Sequence, residues 1–275
     1  MKTKLPGIGH TLAIASGKGG VGKTTVSINL ALALAATGAR VGLFDADIYG
    51  PNVPLMLGVH RTAKANGLIP VAWAGDQPPY IPALERYGIK VMSMGLLVGE
   101  YDTVLPDSRF AGRIVAQTLR DVIWGELDYL VIDLPPGTGE PQQHLVNSFA
   151  IDGAVVVTTP QDLSLLDASR SLGLFRQAGI ALLGVIENMS HLICPHCGER
   201  IEVFPHSDRR WAVLDGELPL LGQIPIAIAI SRAIDAGHPL VQAAPHAPDA
   251  EAFVAIARQI AQRLRARSDT PCAPT

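Results

Sequence analysis

Charged residues, cysteines and long apolar runs are all scarce in this sequence of 275 residues. Only 17% of the residues are charged and the formal net charge is -3, which excludes a broadly basic surface for nucleic acid or anionic membranes. No stretch reaches the roughly 18 consecutive apolar residues of a membrane span, and Met1 to His10 contains no signal-peptide core. We therefore predict a soluble cytoplasmic protein that has neither nucleic acid nor a membrane as a partner.

The three cysteines are too few for a disulfide framework in a chain of this length. Two of them lie in the segment Cys194-Pro-His-Cys197-Gly198. The spacing of these two cysteines is compatible with half of an iron–sulfur site, a zinc knuckle, a dithiol redox pair or two inert thiols. Zinc or a cubane cluster needs about four ligands, and this pair supplies half of them. His191 and His206 could complete a zinc site within one chain, or a second subunit could supply two more cysteines by symmetry.

Uniformly apolar segments recur along the chain and are typical of parallel strands that helices cover on both faces. The first is followed by a glycine-rich loop, a helix rich in alanine and leucine from Thr24 to Ala36, and a stop at Gly38, which together predict a βαβ unit. We predict an α/β fold, doubly wound, with a mostly parallel sheet, in one domain spanning residues 1–267. The predicted strands are Thr11–Ser16, Val41–Phe44, Ile89–Met94, Tyr129–Ile132, Ala154–Val157 and Ala181–Ile186.

Three other segments complete the predicted organisation. Proline and glycine make 66–82 an irregular insertion, the cysteine pair lies in a second insertion near 191–206, and 268–275, with Cys272, is predicted to be a disordered tail. The last helix, 249–267, carries an apolar stripe that either docks on the sheet, which we favour, or lies on a membrane surface. The stripe consists of Phe253, Ile256, Ile260 and Leu264.

Residues 17–24 match the pattern Gly-x4-Gly-Lys-Thr between a predicted strand and a predicted helix, the context that makes this phosphate-binding motif specific. Glycines allow backbone N–H groups to surround phosphate oxygens at the helix N-terminus. Lys23 is expected to reach the β- and γ-phosphates of ATP, and Thr24 to offer its hydroxyl to Mg²⁺. The glycine spacing alone also fits a dinucleotide fold, but Lys23-Thr24 favours the phosphate loop. The predicted nucleotide-binding residues are Gly17, Lys18, Gly19, Gly20, Val21, Gly22, Lys23, Thr24 and Thr25.

Aspartates close two of the predicted strands, at the edge where doubly wound folds bind ligands. Asp45 and Asp47 follow the second strand and Asp133 follows another, so we expect them to face the phosphates. Helix capping is the alternative for Asp45 and Asp47. The run from Asp133 to Gly139 contains too many helix breakers for regular structure and predicts a switch loop that senses the γ-phosphate, with Gly137 as its hinge.

Lys18 completes the pattern Lys-Gly-Gly-x-x-x-Lys-Thr, which resembles the deviant Walker A ATPases, a group that includes MinD, ParA and the nitrogenase iron protein. The resemblance implies that Lys18 reaches the nucleotide of the opposite subunit in a homodimer, and that Lys18 and Lys23 are catalytic together with Asp47, which would orient the attacking water. It also implies that Asp45 and Asp133 hold Mg²⁺ or its waters.

Asn188, in Glu187-Asn-Met-Ser190, follows an apolar segment, and the resemblance implies that its side chain binds adenine. Almost the whole chain is further similar to the Mrp/ApbC iron–sulfur carrier family. This likeness rests on the cysteine pair and on several segments, namely Ser16–Thr25, Asp45–Pro51, Leu127–Gly139, Thr158–Asp162 and Glu187–Ser190.

The carrier resemblance implies a homodimeric ATPase that holds a [4Fe–4S] cluster on Cys194 and Cys197. Its partners would be an upstream assembly scaffold and the apoproteins that receive the cluster. The family's usual Trp-Arg-Gly-Pro-Met segment is replaced around 106–110, and the chain is expected to be a shorter member without an additional N-terminal domain. The alternatives are a MinD/ParA-like positioning ATPase and a dimeric ATPase with structural zinc.

Overall fold

A mostly parallel sheet forms the centre of the computed structural model, which describes residues 2–59, 81–97, 107–204 and 218–268. The strands are β1 (Ile8–Ser16), β2 (Val41–Asp45), β3 (Ile81–Pro82), β4 (Leu84–Arg86), β5 (Ile89–Ser93), β6 (Val122–Ile123), β7 (Leu127–Asp133), β8 (Gly153–Thr158), β9 (Leu182–Glu187), β10 (Leu192–Ile193), β11 (Arg200–Ile201) and β12 (Leu220–Gln223). Across these described ranges, eight of them form one sheet in the order β12-β9-β8-β1-β7-β2-β5-β4. Neighbouring strands in this sheet are parallel, except that β4 is antiparallel to β5 at one edge.

Helices cover both faces of the sheet, as the sequence predicts. They are α1 (Lys23–Ala35), α2 (Val53–Met56), α3 (Ser108–Asp121), α4 (Glu140–Ser148), α5 (Asp162–Gln177), α6 (Ile228–Asp235), α7 (Leu240–Ala243) and α8 (Pro248–Ser268). The buried residues of α3, α4 and α5 belong to one apolar cluster, and those of α1, α2, α7 and α8 belong to the other. The predicted α/β fold with helices on both faces is therefore confirmed.

The alternation of side chains in β1 explains why its sequence is apolar throughout. Leu12 and Ile14 are fully buried in the cluster beneath α1 and α8, whereas Ala13 and Ala15 are fully buried in the cluster beneath α5. Since successive side chains of a strand point to opposite faces, a strand covered on both sides needs apolar residues at every position. The same condition holds for β8, which is buried at all of its positions.

The carboxy-terminal helix docks on the sheet. The four apolar residues of its stripe are each no more than 1% exposed, and the amide of Gln259 donates to the carbonyl oxygen of Leu221 in β12 at 2.8 Å. The membrane-surface alternative for this stripe is therefore wrong, because its apolar face is inside the molecule. Within the described ranges, we find no helix that combines the length and the hydropathy needed to cross a bilayer.

The boundaries of some elements differ from the prediction. β1 begins three residues early, at Ile8, because the ladder with β7 extends to Leu127. Ile81 and Pro82, predicted to be irregular, form β3 through pairing with β6, although 66–80 of that insertion lie outside the described residues. Position 106 of the altered segment, His206 and the tail at 269–275 are also outside them. The assignment of 1–267 to one domain stays a prediction.

Candidate functional site

The phosphate loop connects β1 to α1 at the carboxyl edge of the sheet. Gly20 and Gly22 have φ values of 82° and 81°, and Gly22 is the N-cap of α1. These left-handed conformations favour glycine because a Cβ would be strained there. A Cβ on Gly17 would collide with the backbone of Asp167 in α5, so close packing also requires glycine at the start of the loop. Lys18 is half-buried, and Gly19 and Gly20 are exposed.

The carboxylate of Asp133 lies at the centre of a buried polar cluster. It accepts from the ammonium group of Lys23 at 2.7 Å, from the hydroxyl of Ser27 at 2.6 Å and from the hydroxyl of Thr24 at 2.8 Å. Lys23 is 6% exposed and Asp133 is 0% exposed. Burying both charges is tolerable because hydrogen bonds also occupy the remaining oxygen positions of the carboxylate. The structure thus brings together three predicted site residues, Lys23, Thr24 and Asp133.

Ser27 is a member of this cluster that the sequence reasoning missed. It lies four residues after Lys23, and therefore on the same face of α1. The spacing could have indicated its position, because a serine one turn beyond the phosphate-loop lysine faces the same strand ends. Thr25, the last predicted residue of the loop, is half-buried in the first turn of α1.

Asp45 lies beside Asp133, since the two residues are partners in the parallel pairing of β2 with β7. It accepts from the hydroxyl of Ser93 at 2.8 Å and from the N–H of Asp47 at 3.1 Å. Burial, and then the negative charge of Asp133, raise the pKa of Asp45 to about 7. This carboxyl group is therefore poised to lose its proton when a cation approaches. Ser93 was also missed, because β5 brings it to Asp45 only through the sheet.

Asp47 forms a tight turn after β2. Its carboxylate accepts from the N–H groups of Tyr49 and Gly50, each at 3.2 Å, and its side chain is half-buried. The N-cap of the next helix, α2, is Asn52, so the capping alternative is wrong for Asp47. Asp45 has a long contact of 3.4 Å with the N–H of Val53, the first residue of α2, in addition to its bond with Ser93.

The predicted switch loop connects β7 to α4 and contacts the end of β1, where the phosphate loop begins. Gly137 has a φ of 82°, and its N–H donates to the carbonyl oxygen of Ser16 at 2.9 Å. At the other end, the side-chain amide of Gln143 donates to the carbonyl oxygen of Thr138 at 2.8 Å. The left-handed conformation of Gly137 is compatible with the predicted hinge, and the loop lies directly against the start of the phosphate loop.

Asn188 is attached to the phosphate loop. Its side-chain amide donates to the carbonyl oxygen of Val21 at 2.8 Å, and its N–H donates to the carbonyl oxygen of Thr158 at 2.8 Å. A Cβ on Gly22 would collide with this amide group, so Asn188 gives a second reason for glycine at that position. The next residue, Met189, has a φ of 55°, which is unusual for a side chain of its size. The predicted contact of Asn188 with adenine stays a prediction.

The cysteine pair lies in the turn of a short hairpin formed by β10 and β11. The N–H of Cys194 donates to the carbonyl oxygen of Glu199 at 2.8 Å, and Gly198, with a φ of 74°, donates its N–H to the carbonyl oxygen of Cys194 at 2.9 Å. The N–H groups of Cys197 and His196 and the thiol of Cys197 lower the pKa of the Cys194 thiol. Both thiols are free, with Cys194 half-buried and Cys197 exposed. These contacts favour the thiolate, which is the form that binds metals.

The surroundings of the cysteine pair bear on the zinc and dithiol redox alternatives named in the sequence analysis. Among residues that the structure describes, no group of three or more His, Cys, Asp and Glu side chains is arranged to hold a metal ion. His191 shares a hydrogen bond of 2.8 Å with the hydroxyl of Ser190, and burial lowers the pKa of its imidazole. His191 and the two cysteines therefore do not form a zinc site in this arrangement. Dithiol redox pairs usually lie at the start of a helix, and no helix begins at this pair in the described hairpin.

Exposed apolar side chains surround the cysteine hairpin. Ile193 and Ile201 of the hairpin are 46% and 42% exposed, and Val203 just beyond it is 44% exposed. A backbone bridge between Leu192 and Ile226 brings the hairpin next to the start of α6, where Ile228 is 60% exposed. A group of exposed apolar residues of this kind is typical of surfaces that bind another protein. We call these four residues, Ile193, Ile201, Val203 and Ile228, the apolar border of the cysteine pair.

A glycine-rich phosphate loop with an additional lysine, and a buried Lys23–Asp133 pair at the edge of a parallel sheet, define a P-loop NTPase of the deviant Walker A class. The chain belongs to the ParA family of NUBPL iron-transfer P-loop NTPases, whose family model matches residues 7–261. This match confirms the resemblance on which the sequence analysis relied.

Individual relatives agree with this family. An iron–sulfur cluster carrier protein of Deinococcus radiodurans is 41% identical over 264 residues, which cover 96% of this chain and 72% of that protein. The solved nucleotide-binding protein of Archaeoglobus fulgidus, in complex with ADP, has a TM-score of 0.72 and 34% identity, covering 90% of this chain and 92% of that one. The cell division ATPase MinD of Pyrococcus furiosus has a TM-score of 0.65 and 27% identity, covering 93% of this chain and 99% of that one.

Proposed function

We propose that this protein is an ATP-hydrolysing carrier that receives a [4Fe–4S] cluster from an assembly scaffold and delivers it to apoproteins. The observation that carries the proposal is the cysteine hairpin, in which backbone N–H groups stabilise the thiolate of Cys194 beside an accessible Cys197. The relatives support it, because the Deinococcus protein is an iron–sulfur cluster carrier. The cluster is the cargo of this protein, not a resident cofactor.

A second copy of the chain would complete the cluster site. Each chain offers Cys194 and Cys197, whereas a cubane cluster takes four ligands, and a two-fold axis through the site would supply the other two. The apolar border supports this arrangement, since two such surfaces meeting around the axis would exclude water from the contact. Cluster binding and dimer formation would then stabilise each other.

The phosphate-binding edge has the donors that Mg-ATP requires. Mg²⁺ prefers oxygen ligands, and the hydroxyl of Thr24 lies 2.8 Å from the carboxylate of Asp133, which neighbours Asp45 across the sheet. We infer that these three residues hold Mg²⁺, which when bound neutralises part of the phosphate charge. Lys23 would exchange its bond with Asp133 for the phosphates. Asp47 would accept a hydrogen bond from the attacking water, and Lys18 of a second copy would stabilise the charge that develops.

A short set of contacts supports coupling between the nucleotide and the cysteines. Asn188 binds the phosphate loop at Val21, and two residues later the N–H and hydroxyl of Ser190 both bind the carbonyl oxygen of Ile224. The chain then enters β10 and reaches Cys194 within four residues. We infer that a movement of the phosphate loop changes the placement of the hairpin through Asn188. Hydrolysis would thereby alter how tightly the cluster is held.

Anaerobic reconstitution tests the carrier function. We expect about four iron and four sulfide atoms per dimer, a cysteine-dependent visible absorption band and transfer of the cluster to an apo-ferredoxin. Cys194→Ser and Cys197→Ser are each expected to lose the iron while they bind ATP normally. Cys→Ser is a suitable change because it keeps the size of the side chain and removes the thiolate.

Two outcomes would contradict the carrier function. The first is stoichiometric zinc in protein purified without oxygen, with no uptake of iron, which would favour the structural-zinc alternative. The second is normal iron binding by both serine variants, which would place the cluster away from the hairpin. An ATPase that is fully active and shows no cysteine-dependent cluster would favour the positioning-switch alternative.

A further inference from the structure

Gln142 is a buried glutamine whose amide makes no hydrogen bond. It lies in the first turn of α4, its side chain is 0% exposed, and neither its Nε2 nor its Oε1 atom has a partner. In the part of the chain that the structure describes, the only other buried side-chain atom without a partner is the hydroxyl oxygen of Ser171 in α5. Most buried polar atoms in proteins are paired, so an amide that is unpaired at both ends requires an explanation.

Packing alone does not explain a glutamine at this position. A methionine has a similar length and shape, fills irregular apolar space and brings no amide that must leave water. Pro141, Leu145 and Val146, which surround Gln142 in the sequence of α4, are also buried. An amide that destabilises this conformation is expected to be useful in another conformation, in which a partner reaches it.

The element that can supply this partner is the switch loop, whose residues 134–139 follow β7 and run directly into α4. The beginning of α4 is held in place by α3, because a Cβ on Gly112 would lie only 3.1 Å from Cβ of His144 and 3.4 Å from Cα of Pro141. The loop contains the glycines that a change of backbone conformation needs, since Gly137 has a left-handed φ of 82° and Gly139 is the N-cap of α4. A partner for Gln142 would therefore come from movement of the loop, not of the helix.

We propose that Gln142 is a positioning residue for ATP hydrolysis, whose amide binds the backbone of residues 134–139 when this loop closes on the γ-phosphate. A side-chain amide can donate to one backbone carbonyl oxygen and accept from one N–H group at the same time. Two such bonds would hold the closed loop against the phosphate loop, which it contacts through Gly137 and Ser16. The proposal rests on the nucleotide-hydrolysing part of the proposed function and does not involve the cluster.

The test compares Gln142→Met with Ser171→Ala, which serves as the matched control. Both changes remove an unpaired buried polar group, so each is expected to raise the Tm by about 2 °C or more without nucleotide. Only Gln142→Met is expected to impair hydrolysis, with a kcat about tenfold lower and a KM within about twofold, because the lost bonds form in the closed state. The extra stabilisation that Mg²⁺ and a non-hydrolysable ATP analogue give the parent should also shrink in Gln142→Met and persist in Ser171→Ala.

Equal kcat values and equal analogue-induced Tm shifts in Gln142→Met and the parent protein would overturn the proposal. A lower Tm for Gln142→Met would also overturn it, because the amide would then be stabilising the conformation described above. The analogue measurement does not depend on turnover, so it tests Gln142 even if the parent hydrolyses no ATP, a result that would count against the proposed function alone. Iron content after reconstitution should be the same in both variants.

Discussion

At the phosphate-binding edge, Lys23 and Asp133 form an ion pair at 2.7 Å with both side chains buried, whereas in the cysteine hairpin Cys197 is exposed and Cys194 is half-buried. The first site rests on long strands and a helix in the core. The second rests on two strands of two residues each. The comparison indicates that the nucleotide site is organised by the core of the chain, while the cysteine site is open to solvent, as the proposed sharing of a cluster with a second copy requires.

Removing the central carboxylate should have the largest effect on the nucleotide site. Asp133→Ala leaves the charge of Lys23 buried without its partner, so we expect the free energy of unfolding to fall by about 3 to 5 kcal/mol in chemical denaturation. Asp128→Ala is the control, because the Arg40–Asp128 pair at 2.9 Å is exposed on both sides. A much smaller loss is expected there. Similar losses in both variants would contradict the distinction between a buried and an exposed site.

The pH dependence of stability tests the burial of Asp45. Its pKa is raised from an ordinary value of 3.8 to about 7, so between these values the folded protein keeps a proton that the unfolded chain loses. The free energy of unfolding should therefore decrease as the pH rises from about 4 to about 7, by about 2 to 4 kcal/mol, and change little above that. Chemical denaturation at a series of pH values, in the presence of a chelator, measures this free energy of unfolding. Asp45→Asn should lose this part of the dependence, and an unchanged profile would show that Asp45 is not the group responsible.

Lys23→Ala should separate the two sites functionally. We expect ATP affinity to fall by about 10- to 100-fold, because a phosphate group loses a charge-assisted hydrogen bond while the backbone loop remains. Iron binding should be retained, since the cysteine hairpin does not contact Lys23. Equilibrium binding of a fluorescent ATP analogue and iron analysis provide the two measurements. ATP affinity close to that of the parent in Lys23→Ala would contradict the phosphate-loop assignment.

The smallest expected effect concerns the reactivity of the Cys194 thiol. Since neighbouring N–H groups lower the pKa of Cys194, its thiolate fraction at pH 7 exceeds that of an ordinary thiol. Iodoacetamide in limiting amount should therefore modify Cys194 a few-fold faster than an unstructured cysteine in a reference peptide, as measured by mass spectrometry. The difference should disappear in the urea-unfolded chain. A rate unchanged by unfolding would mean that the turn does not activate this thiol.

The sequence predicts best those features that depend on residues close together in the chain. Uniform apolar segments locate the six central strands that were predicted, and the motif at 17–24 locates the phosphate loop, because both signals are local. The contact of Ser93 with Asp45 is not predicted, because it depends on the pairing of β2 with β5 and joins residues 48 positions apart. Similarly, the side chain of Asn29 accepts from the N–H of Val241, 212 positions away. The cytoplasmic location and the roles of individual site residues stay predictions.

The hairpin shows a different limit of sequence reasoning. Its strands of two residues are too short to produce a periodic apolar pattern, and only the spacing of Cys194, Cys197 and Gly198 marks the turn. The unpaired amide of Gln142 has no signal in the sequence, because a glutamine in the first turn of a helix is normally exposed. Such features depend on how helices and loops pack around them.

The position of β1 in the middle of the sheet has a consequence for synthesis of the protein. β1 is made before its two neighbours, β7 and β8, which end at Asp133 and Thr158. Lys23 precedes Asp133 by 110 residues, so at about 5 to 20 residues per second the ribosome takes roughly 5 to 22 s to supply its partner. During that interval the backbone of β1 is without the two strands that pair with it. Although the phosphate loop precedes most of the sheet in the sequence, it therefore becomes able to bind nucleotide only after β7 and β8 have been translated.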